Sequence, residues 1–345
     1  MYFEKFYEGA ITGIQDPDNT GNDLEDIEDA VLASHDDEVE DANSTYIDYD
    51  DIINDFIYEA EYNTNVIYNS IGLHELNEAY KPSLGDKIKN SDFYINRLLP
   101  LIEGLKKIIA KIYEKIQEIY FKFAGSWDRL NTNITEMLIK LRNLGMQKAR
   151  SLIEEASKKI FIDSNGIVLT KRIIDKNKYN FASGRDIYTQ DLESNIDKLS
   201  NISDIEKYSS NKFDDKKEIY DTLNRDEYYK SLTKEVSEVS YDDIDYIDRQ
   251  LSMEDISYAF NSIKKIYKKS KSNAFSNEIK KLKEYQNKSD NNNVKTIFQN
   301  YQNICNDINY TLKIISVKFI IIMKAIQSDK ILCMSVLKEA LTLNK

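Results

Sequence analysis

Apolar residues recur at steps of three or four along two long stretches in the middle of the chain. This spacing places side chains on one face of a helix. In residues 92–123 the apolar stripe is wide, as on a helix that packs into a globular core. In the first part of residues 127–160 the steps alternate between three and four. After Leu144 this spacing is interrupted, and it resumes at Leu152 on a shifted face of the helix. The main stripe positions are Leu98, Leu101, Leu105, Ile108, Ile112, Ile116, Ile119 and Phe123, followed by Trp127, Leu130, Ile134, Met137, Leu141 and Leu144.

The segment Ala-Gly-Ser at residues 124–126 separates these two predicted helices. Such a short connection makes neighbouring helices antiparallel. Pro100 conflicts with the pattern, so we expect the first helix to start near Leu99 or to kink at Pro100. With only 10 glycines and 3 prolines in 345 residues, the chain is predicted to be all-α. The predicted architecture is an elongated helical bundle built on a long antiparallel helical hairpin.

One small β-hairpin is predicted after the helical hairpin. Residues 160–162 and 167–169 are β-formers, and the turn-forming segment Asp-Ser-Asn-Gly separates them. Two strands are marginal alone, so the hairpin should pack on the helices. The polar stretch that follows is predicted to hold helices at residues 188–199, 214–223 and 225–239.

The longest apolar run lies near the C-terminus, over residues 294–328. Its apolar positions keep steps of three or four, which predicts one helix. A membrane span needs about 20 apolar residues, and Lys313, Lys318 and Lys324 interrupt this run. The lysines favour a buried core helix, and a membrane-interacting helix remains the alternative. A final amphipathic helix is predicted at residues 331–343.

Charge is segregated along the chain, which has a net charge of −12. Residues 1–60 hold 19 acidic residues and one lysine, for a net charge of −18, and the remaining residues carry +6. An acidic arm of this kind is suited to docking onto a basic partner or to shielding the basic body. It disfavours nucleic-acid binding by the arm.

These shifts in composition predict four regions. They are an acidic N-terminal arm with short helices (1–80), the long helical hairpin with its β-hairpin (86–175), a polar, partly helical connector (176–250) and a C-terminal helical bundle (251–345).

The sequence offers little catalytic or metal-binding chemistry. His35 and His74 are the only histidines, and Cys305 and Cys333 lie in apolar helical runs, where we predict buried reduced thiols. A zinc site of the usual kind lacks ligands, and no glycine-rich phosphate loop or nucleophile elbow is present. We therefore predict no catalytic, cofactor-binding or metal site and no enzymatic activity. No signal peptide is recognisable, so synthesis in the cytoplasm is expected.

One short motif stands at the edge of a predicted linker, which Pro82 and Gly85 mark. Leu76-Asn77-Glu78-Ala79 combines a large aliphatic residue, a variable position, a glutamate and a small residue. Similar matches at residues 57–60, 101–104 and 337–340 fall in predicted helices, where a protease has poor access. The motif is similar to sites that prohead proteases of large tailed bacteriophages cut. Its candidate processing residues are Leu76, Glu78 and Ala79, and a cut there would remove the acidic arm.

The short aromatic N-terminus, the acidic arm and the helical body resemble the layout of internal-head or core proteins of large tailed bacteriophages with A+T-rich genomes. This resemblance implies a non-enzymatic structural or assembly protein of the virion, present in the host cytoplasm during assembly and then in the particle. Its expected partners are other virion or capsid proteins, with self-association as a further option. Specific nucleic-acid binding, membrane contact and cofactors are not expected.

Overall fold

The computed structural model describes residues 47–70, 91–177, 187–199, 201–208, 211–250, 253–271 and 291–344. Contacts divide the chain into two units, Met1–Tyr46 and Ile47–Lys345, and every described residue belongs to the second unit. Among the described residues there are ten helices and two strands, which confirms the all-α prediction.

The helices are α1 (Tyr49–Ser70), α2 (Ser91–Arg142), α3 (Met146–Ile160), α4 (Ile187–Lys198), α5 (Ile202–Glu206), α6 (Asn211–Asp221), α7 (Arg225–Leu232), α8 (Tyr241–Gln250), α9 (Met253–Ser270) and α10 (Asn291–Leu343). The strands are β1 (Lys171–Ile174) and β2 (Thr233–Val236). The helices predicted at residues 188–199 and 214–223 are confirmed as α4 and α6.

The predicted break at residues 124–126 is wrong, because α2 runs through it as one helix of 52 residues. A helical glycine is less favourable than alanine by about 1 kcal/mol. Packing on both sides of Gly125 outweighs this cost, since Phe123 and Trp127 are both buried in the core. The chain turns later, at residues 143–145, where Gly145 adopts a φ of 98°. The predicted hairpin with its turn at Gly125 is therefore replaced by a continuous helix, a turn at Gly145 and α3.

Of the two alternatives given for Pro100, a helix start near Leu99 is wrong, and a kink at Pro100 stays a prediction. The helix α2 begins at Ser91 and includes Pro100 in its interior. Proline has no backbone N–H, so it removes one hydrogen bond from the helical ladder. A helix of this length tolerates that loss because its apolar face is buried along most of its length.

The C-terminal helix is also longer than predicted. The two helices expected at residues 294–328 and 331–343 form one helix of 53 residues, α10. The polar residues Gln327, Asp329 and Lys330, at the junction of the two predicted helices, are all buried. At about 1.5 Å per residue, α2 and α10 are each on the order of 80 Å long.

The predicted β-hairpin is reduced to a single bridge between Ile162 and Val168. Asp163 stabilises the turn, because its carboxylate accepts the backbone N–H groups of Asn165 at 2.9 Å and Ile167 at 2.8 Å. The predicted hairpin therefore forms at its predicted position in reduced form, with a backbone hydrogen bond from Leu169 N–H to the Phe161 carbonyl at 2.7 Å, and the two named strands pair elsewhere.

Strands β1 and β2 pair antiparallel, with Lys171 opposite Val236 and Ile174 opposite Thr233. The strand β2 occupies part of the helix predicted at residues 225–239, which ends at Leu232 instead. Local propensity did not reveal this pairing, because its partner strand lies about 60 residues earlier in the sequence. The buried side chains of Ile173 and Ile174 attach the sheet to the core.

The helix α10 lies at the centre of the Ile47–Lys345 unit. It contacts each of the other nine described helices and β1. The apolar residues of its middle section are buried, including Ile308, Leu312, Phe319 and Ile326. Among the described residues, no helix has both the length and the apolar character needed to cross a membrane.

Candidate functional site

The predicted processing residues Leu76, Glu78 and Ala79 lie outside the described residues, in the segment between α1 and α2. The three similar matches are inside helices, at residues 57–60 in α1, 101–104 in α2 and 337–340 in α10. Their helical setting agrees with the poor protease access expected for them. The assignment of Leu76, Glu78 and Ala79 stays a prediction. His35 and His74 also lie outside the described residues.

Polar side chains meet where α2 packs against α10. The Nε2 atom of Gln327 donates a hydrogen bond to Ser126 Oγ at 2.8 Å. One turn away, Lys330 Nζ donates to Asn131 Oδ1 at 2.7 Å and lies 4.3 Å from the centroid of the Trp127 ring. We call this cluster the polar junction; its members are Ser126, Trp127, Asn131, Gln327, Asp329 and Lys330.

Asp329 connects the polar junction to the sheet. Its side chain is 0% exposed, and Oδ2 accepts the backbone N–H of Ile174 at 2.8 Å. Within the described residues, Oδ1 has no hydrogen-bond partner. The two nearby lysines are directed elsewhere, since Lys330 binds Asn131 and Lys234 pairs with Asp243 at 3.4 Å.

Burial is the main reason why the pKa of Asp329 rises to about 8. The hydrogen bond from Ile174 and the nearby lysines act in the opposite direction, and they offset burial only in part. The carboxyl group is therefore protonated in the folded protein at neutral pH. This protonation removes the large cost of a buried, unpaired charge.

Two buried lysines of α10 show the complementary effect. Burial lowers the pKa of both Lys330 and Lys313 to about 8. The ammonium group of Lys313 lies 5.4 Å from the ring of Tyr220 and 5.5 Å from the ring of Tyr310. Aromatic faces attract cations, so these rings replace part of the lost hydration.

A second buried carboxyl group holds α4 and Tyr208, two residues after α5, on α10. Asp307 is buried and accepts hydrogen bonds from Asn195 Nδ2 at 2.6 Å, Tyr208 Oη at 3.1 Å and Thr311 Oγ1 at 3.2 Å. Multiple donors of this kind compensate the desolvation of a buried acid. Through one side chain, the contact joins α10 to α4 and to the segment that follows α5.

Charged residues nearer the surface pair between helices. Each exposed pair stabilises the fold by about 1 kcal/mol or less, so their main effect is to fix how neighbouring helices align. The pairs are Glu193–Lys265 and Asp197–Lys269 between α4 and α9, Asp50–Lys324 between α1 and α10, Glu59–Lys115 between α1 and α2, and Asp245–Arg142 and Asp242–Arg150, which join α8 to α2 and α3.

These pairs change where the charge boundary falls. Residues 1–46 hold 14 acidic residues and one lysine, for a net charge of −13. Residues 47–345 hold 45 acidic and 46 basic residues, for a net charge of +1. Acids of α1 balance bases of the body, as in the ion pairs of Asp50 and Glu59. Divided between Tyr46 and Ile47, the chain therefore consists of a strongly acidic segment and a nearly neutral body.

The remaining reactive groups are buried. Burial raises the pKa of the Cys305 and Cys333 thiols, which keeps both protonated and weakly nucleophilic. Across the described ranges, no three His, Cys, Asp or Glu side chains form a group that could hold a metal ion. The polar junction acts as an anchor between two helices and a sheet, with an ammonium group held by a ring and an amide.

The sequence analysis missed the polar junction because it placed a break at residues 124–126 and ended one predicted helix at residue 328, just before Asp329 and Lys330. A usable indication was present: Gln327, Asp329 and Lys330 interrupt neither the spacing nor the apolar character of the residues on both sides. No protein-family model matches the chain, and no curated protein or solved structure does either.

Proposed function

We propose that the protein is a non-enzymatic structural or assembly protein whose acidic segment, residues 1–46, engages a basic partner. The observation that carries the proposal is the segregation of charge, −13 on residues 1–46 and +1 on residues 47–345. A segment with 14 acids and one lysine has almost no counter-charge of its own. A basic surface on a partner would supply the missing positive charge. It would also accelerate association of the partner with this segment through long-range attraction.

The arrangement of the body supports a framework role. Its buried polar groups connect helices to one another, as Lys330 does with Asn131 and Asp307 does with Asn195. Its two longest helices, each on the order of 80 Å in length, pack against each other. A framework of this kind can carry residues 1–46 to a partner, and this role needs no catalytic group.

We further propose that the chain belongs to the virion of a large tailed bacteriophage and associates there with other capsid proteins. The support is the resemblance in layout and the Leu76, Glu78 and Ala79 motif. A cut after Glu78 would separate residues 1–78 from the rest. The helix α1 packs on α2 and α10 through Tyr49, Ile53 and Phe56, so we expect the cleaved fragment to remain bound.

Mass spectrometry of purified phage particles tests the virion proposal. Peptides of this chain should be present, with a mature N-terminus at Ala79, and the α1 fragment should co-purify. Particles that lack the chain contradict the virion role. Particles that contain only an uncleaved chain contradict the processing step alone.

Binding to a cationic probe tests the docking proposal. The full chain is titrated into a fluorescein-labelled oligolysine peptide and fluorescence anisotropy is measured. Replacing the 14 acids of residues 1–46 with Asn or Gln should weaken binding at least about tenfold and reduce its salt dependence. The matched control, Glu154→Gln with Glu155→Gln on exposed positions of α3, should bind nearly as the wild type. Equal binding by the neutralised and wild-type chains contradicts the proposal.

A further inference from the structure

The outer face of α1 carries a continuous stripe of exposed residues at steps of three and four, which places them on one helical face. The stripe consists of Asp51, Asp55, Tyr58, Tyr62 and Val66. Tyr58 is 71% exposed, Tyr62 57% and Val66 46%. The two tyrosine rings stack, with centroids 6.2 Å apart and planes 12° apart. Exposed stacked aromatic rings are typical of binding surfaces.

Residues on both flanks of the stripe already contact the body. Glu59 accepts a hydrogen bond from Lys115 Nζ at 3.2 Å, and Glu61 accepts one from Tyr220 Oη at 3.4 Å. The stripe itself differs: within the described part of the chain, the carboxylates of Asp51 and Asp55 form no ion pair. The stripe is therefore the part of α1 that the fold does not use.

A second helix of this chain shows which side chains bind a helix face that carries Tyr and Asp. On α8, Tyr241 Oη accepts a hydrogen bond from Arg142 Nε at 2.7 Å, and Asp245 accepts one from the same guanidinium at 2.8 Å. Arg150 lies 4.9 Å from the centroid of the Tyr241 ring and donates two hydrogen bonds to Asp242 at 2.8 and 3.2 Å. A face with Tyr and Asp one turn apart is thus occupied by arginines from neighbouring helices.

A lysine makes the same combination of contacts at another helix contact. Lys324 pairs with Asp50 at 2.6 Å and lies 5.6 Å from the centroid of the Tyr229 ring. Both examples place a cation over a tyrosine and beside an aspartate. The α1 stripe presents that combination, Tyr58 with Asp55 at a spacing of three, without an internal cation.

We propose that the outer face of α1 is a docking surface for a basic protein segment. Lys or Arg side chains of that segment would lie over the rings of Tyr58 and Tyr62 and pair with Asp51 and Asp55. The inference rests on the proposed function, since the same partner would engage residues 1–46, which directly precede α1 in the sequence.

Charge favours this occupant over two others. A nucleic acid would be repelled by Asp51 and Asp55 and by the net charge of −13 on residues 1–46. A second copy using the same stripe would bring the carboxylates of both copies into one contact without a counter-charge. A segment rich in Lys and Arg matches both the carboxylates and the ring faces.

The test titrates the full chain into a fluorescein-labelled oligoarginine peptide and compares two double variants. Tyr58→Leu with Tyr62→Leu removes the ring faces and keeps apolar side chains, whereas Tyr58→Phe with Tyr62→Phe keeps the rings. We expect the leucine variant to bind about five- to thirtyfold more weakly, through loss of two cation–ring contacts. The phenylalanine variant should stay within about twofold of the wild type, since both rings attract cations.

Because both tyrosines are exposed, the variants should fold as the wild type does, which circular dichroism melting checks. The matched control is Ile139→Ala, an exposed apolar position on α2 that is 49% exposed. It should leave the affinity unchanged. Asp51→Asn with Asp55→Asn should weaken binding and reduce its salt dependence.

Each other outcome has a distinct meaning. Equal affinity for the wild type and the leucine variant overturns the α1 surface, while the proposed function stands if neutralising residues 1–46 still abolishes binding. Absence of binding by the wild type contradicts the proposed function itself. A leucine variant that changes the sedimentation coefficient but keeps its peptide affinity shows that the stripe joins copies of this chain, which also overturns the inference.

Discussion

The protonated state of Asp329 leads to the sharpest prediction about this fold. The perturbation is Asp329→Asn, which keeps the shape of the side chain and an acceptor for the Ile174 N–H group but cannot ionise. In the folded protein burial raises the pKa of Asp329 from 3.8 to about 8. In the unfolded chain the carboxyl group is exposed to water and titrates near its ordinary value.

The sign of the effect follows from proton binding. Between pH 4 and pH 8 the folded state holds the proton of Asp329 and the unfolded state does not. The free energy of unfolding therefore falls as pH rises through this range, by about 1.4 kcal/mol per pH unit for one proton. Over about four pH units the loss approaches 5–6 kcal/mol, and relaxation around the ionised group reduces it.

The assay is urea unfolding at several pH values between 4 and 8, followed by circular dichroism. Asp329→Asn should match the wild type near pH 4 and exceed it by at least about 2 kcal/mol at pH 8. Exposed carboxylates contribute equally to both proteins, and Glu154→Gln serves as the matched control because Glu154 is exposed on α3. Parallel stability curves for the wild type and Asp329→Asn would refute a protonated, buried carboxyl group.

Three other substitutions test other parts of the structure. Gly125→Ala should raise the free energy of unfolding by about 0.5–1 kcal/mol, because Gly125 is helical and no atom lies within 4 Å of the added Cβ; a destabilised variant in urea unfolding would mean that the chain turns there. Gly145→Ala, by contrast, should lower it by about 1 kcal/mol, because a φ of 98° strains an L-residue; an unchanged urea midpoint would argue against this turn. Asp307→Ala should lower the free energy of unfolding by about 2–4 kcal/mol, because three donors lose their acceptor. It should also speed amide hydrogen exchange in α4 and α5, and unchanged exchange there would exclude the anchoring role.

Lys330 should make the free energy of unfolding depend on pH with the opposite sign to Asp329. Its pKa is lowered to about 8 in the folded state from an ordinary value of 10.5, so the contribution of Lys330 to stability should rise with pH between these values. Lys330→Met keeps the length of the side chain and removes this contribution, so the wild type should gain stability relative to the variant between pH 8 and pH 10 in urea unfolding. A difference between the two proteins that stays constant over this range would contradict the lowered pKa of Lys330.

The helical stripes could be predicted because burial repeats at the helical period. Leu98, Ile108 and Ile116 on α2, and Ile308 and Phe319 on α10, are all buried as their spacing indicates. Periodicity is a local property of the sequence and depends only on which face meets the core. The existence of the long helices and the all-α class followed from it.

The continuity of α2 and α10 could not be predicted because it depends on contacts between distant residues. Gly125-Ser126 and the segment around Asp329 both have the composition of a break. In the structure they lie opposite each other, and the hydrogen bond between Gln327 and Ser126 satisfies a polar group from each. Polar residues in a helix are tolerated where a partner helix supplies their hydrogen bonds. Sequence spacing within one helix contains no information about that partner.

The same argument applies to the sheet and to the charge boundary. Thr233 pairs with Ile174, which lies about 60 residues earlier in the sequence. The turn-forming residues at Asp163 indicate only a local hairpin, so they could not predict this distant pairing. The acids of α1 were counted with the acidic arm because they follow it in sequence. Because α1 packs on the body, Asp50 forms an ion pair with Lys324 of α10, and Glu59 forms one with Lys115 of α2. The segment 1–46 thereby retains the excess negative charge on which the proposed function rests.

The central feature of the fold is that α2 is one continuous helix that packs along α10. A distance measurement by pulsed electron paramagnetic resonance tests this directly, with spin labels on Lys107→Cys and Lys140→Cys, both exposed positions of α2. The native Cys305 and Cys333 are buried and remain in place. A continuous helix separates the two labelled positions by about 50 Å at 1.5 Å per residue. A distance of about 20 Å or less would mean that the chain reverses at Gly125, as in two helices packed side by side, and would contradict the account.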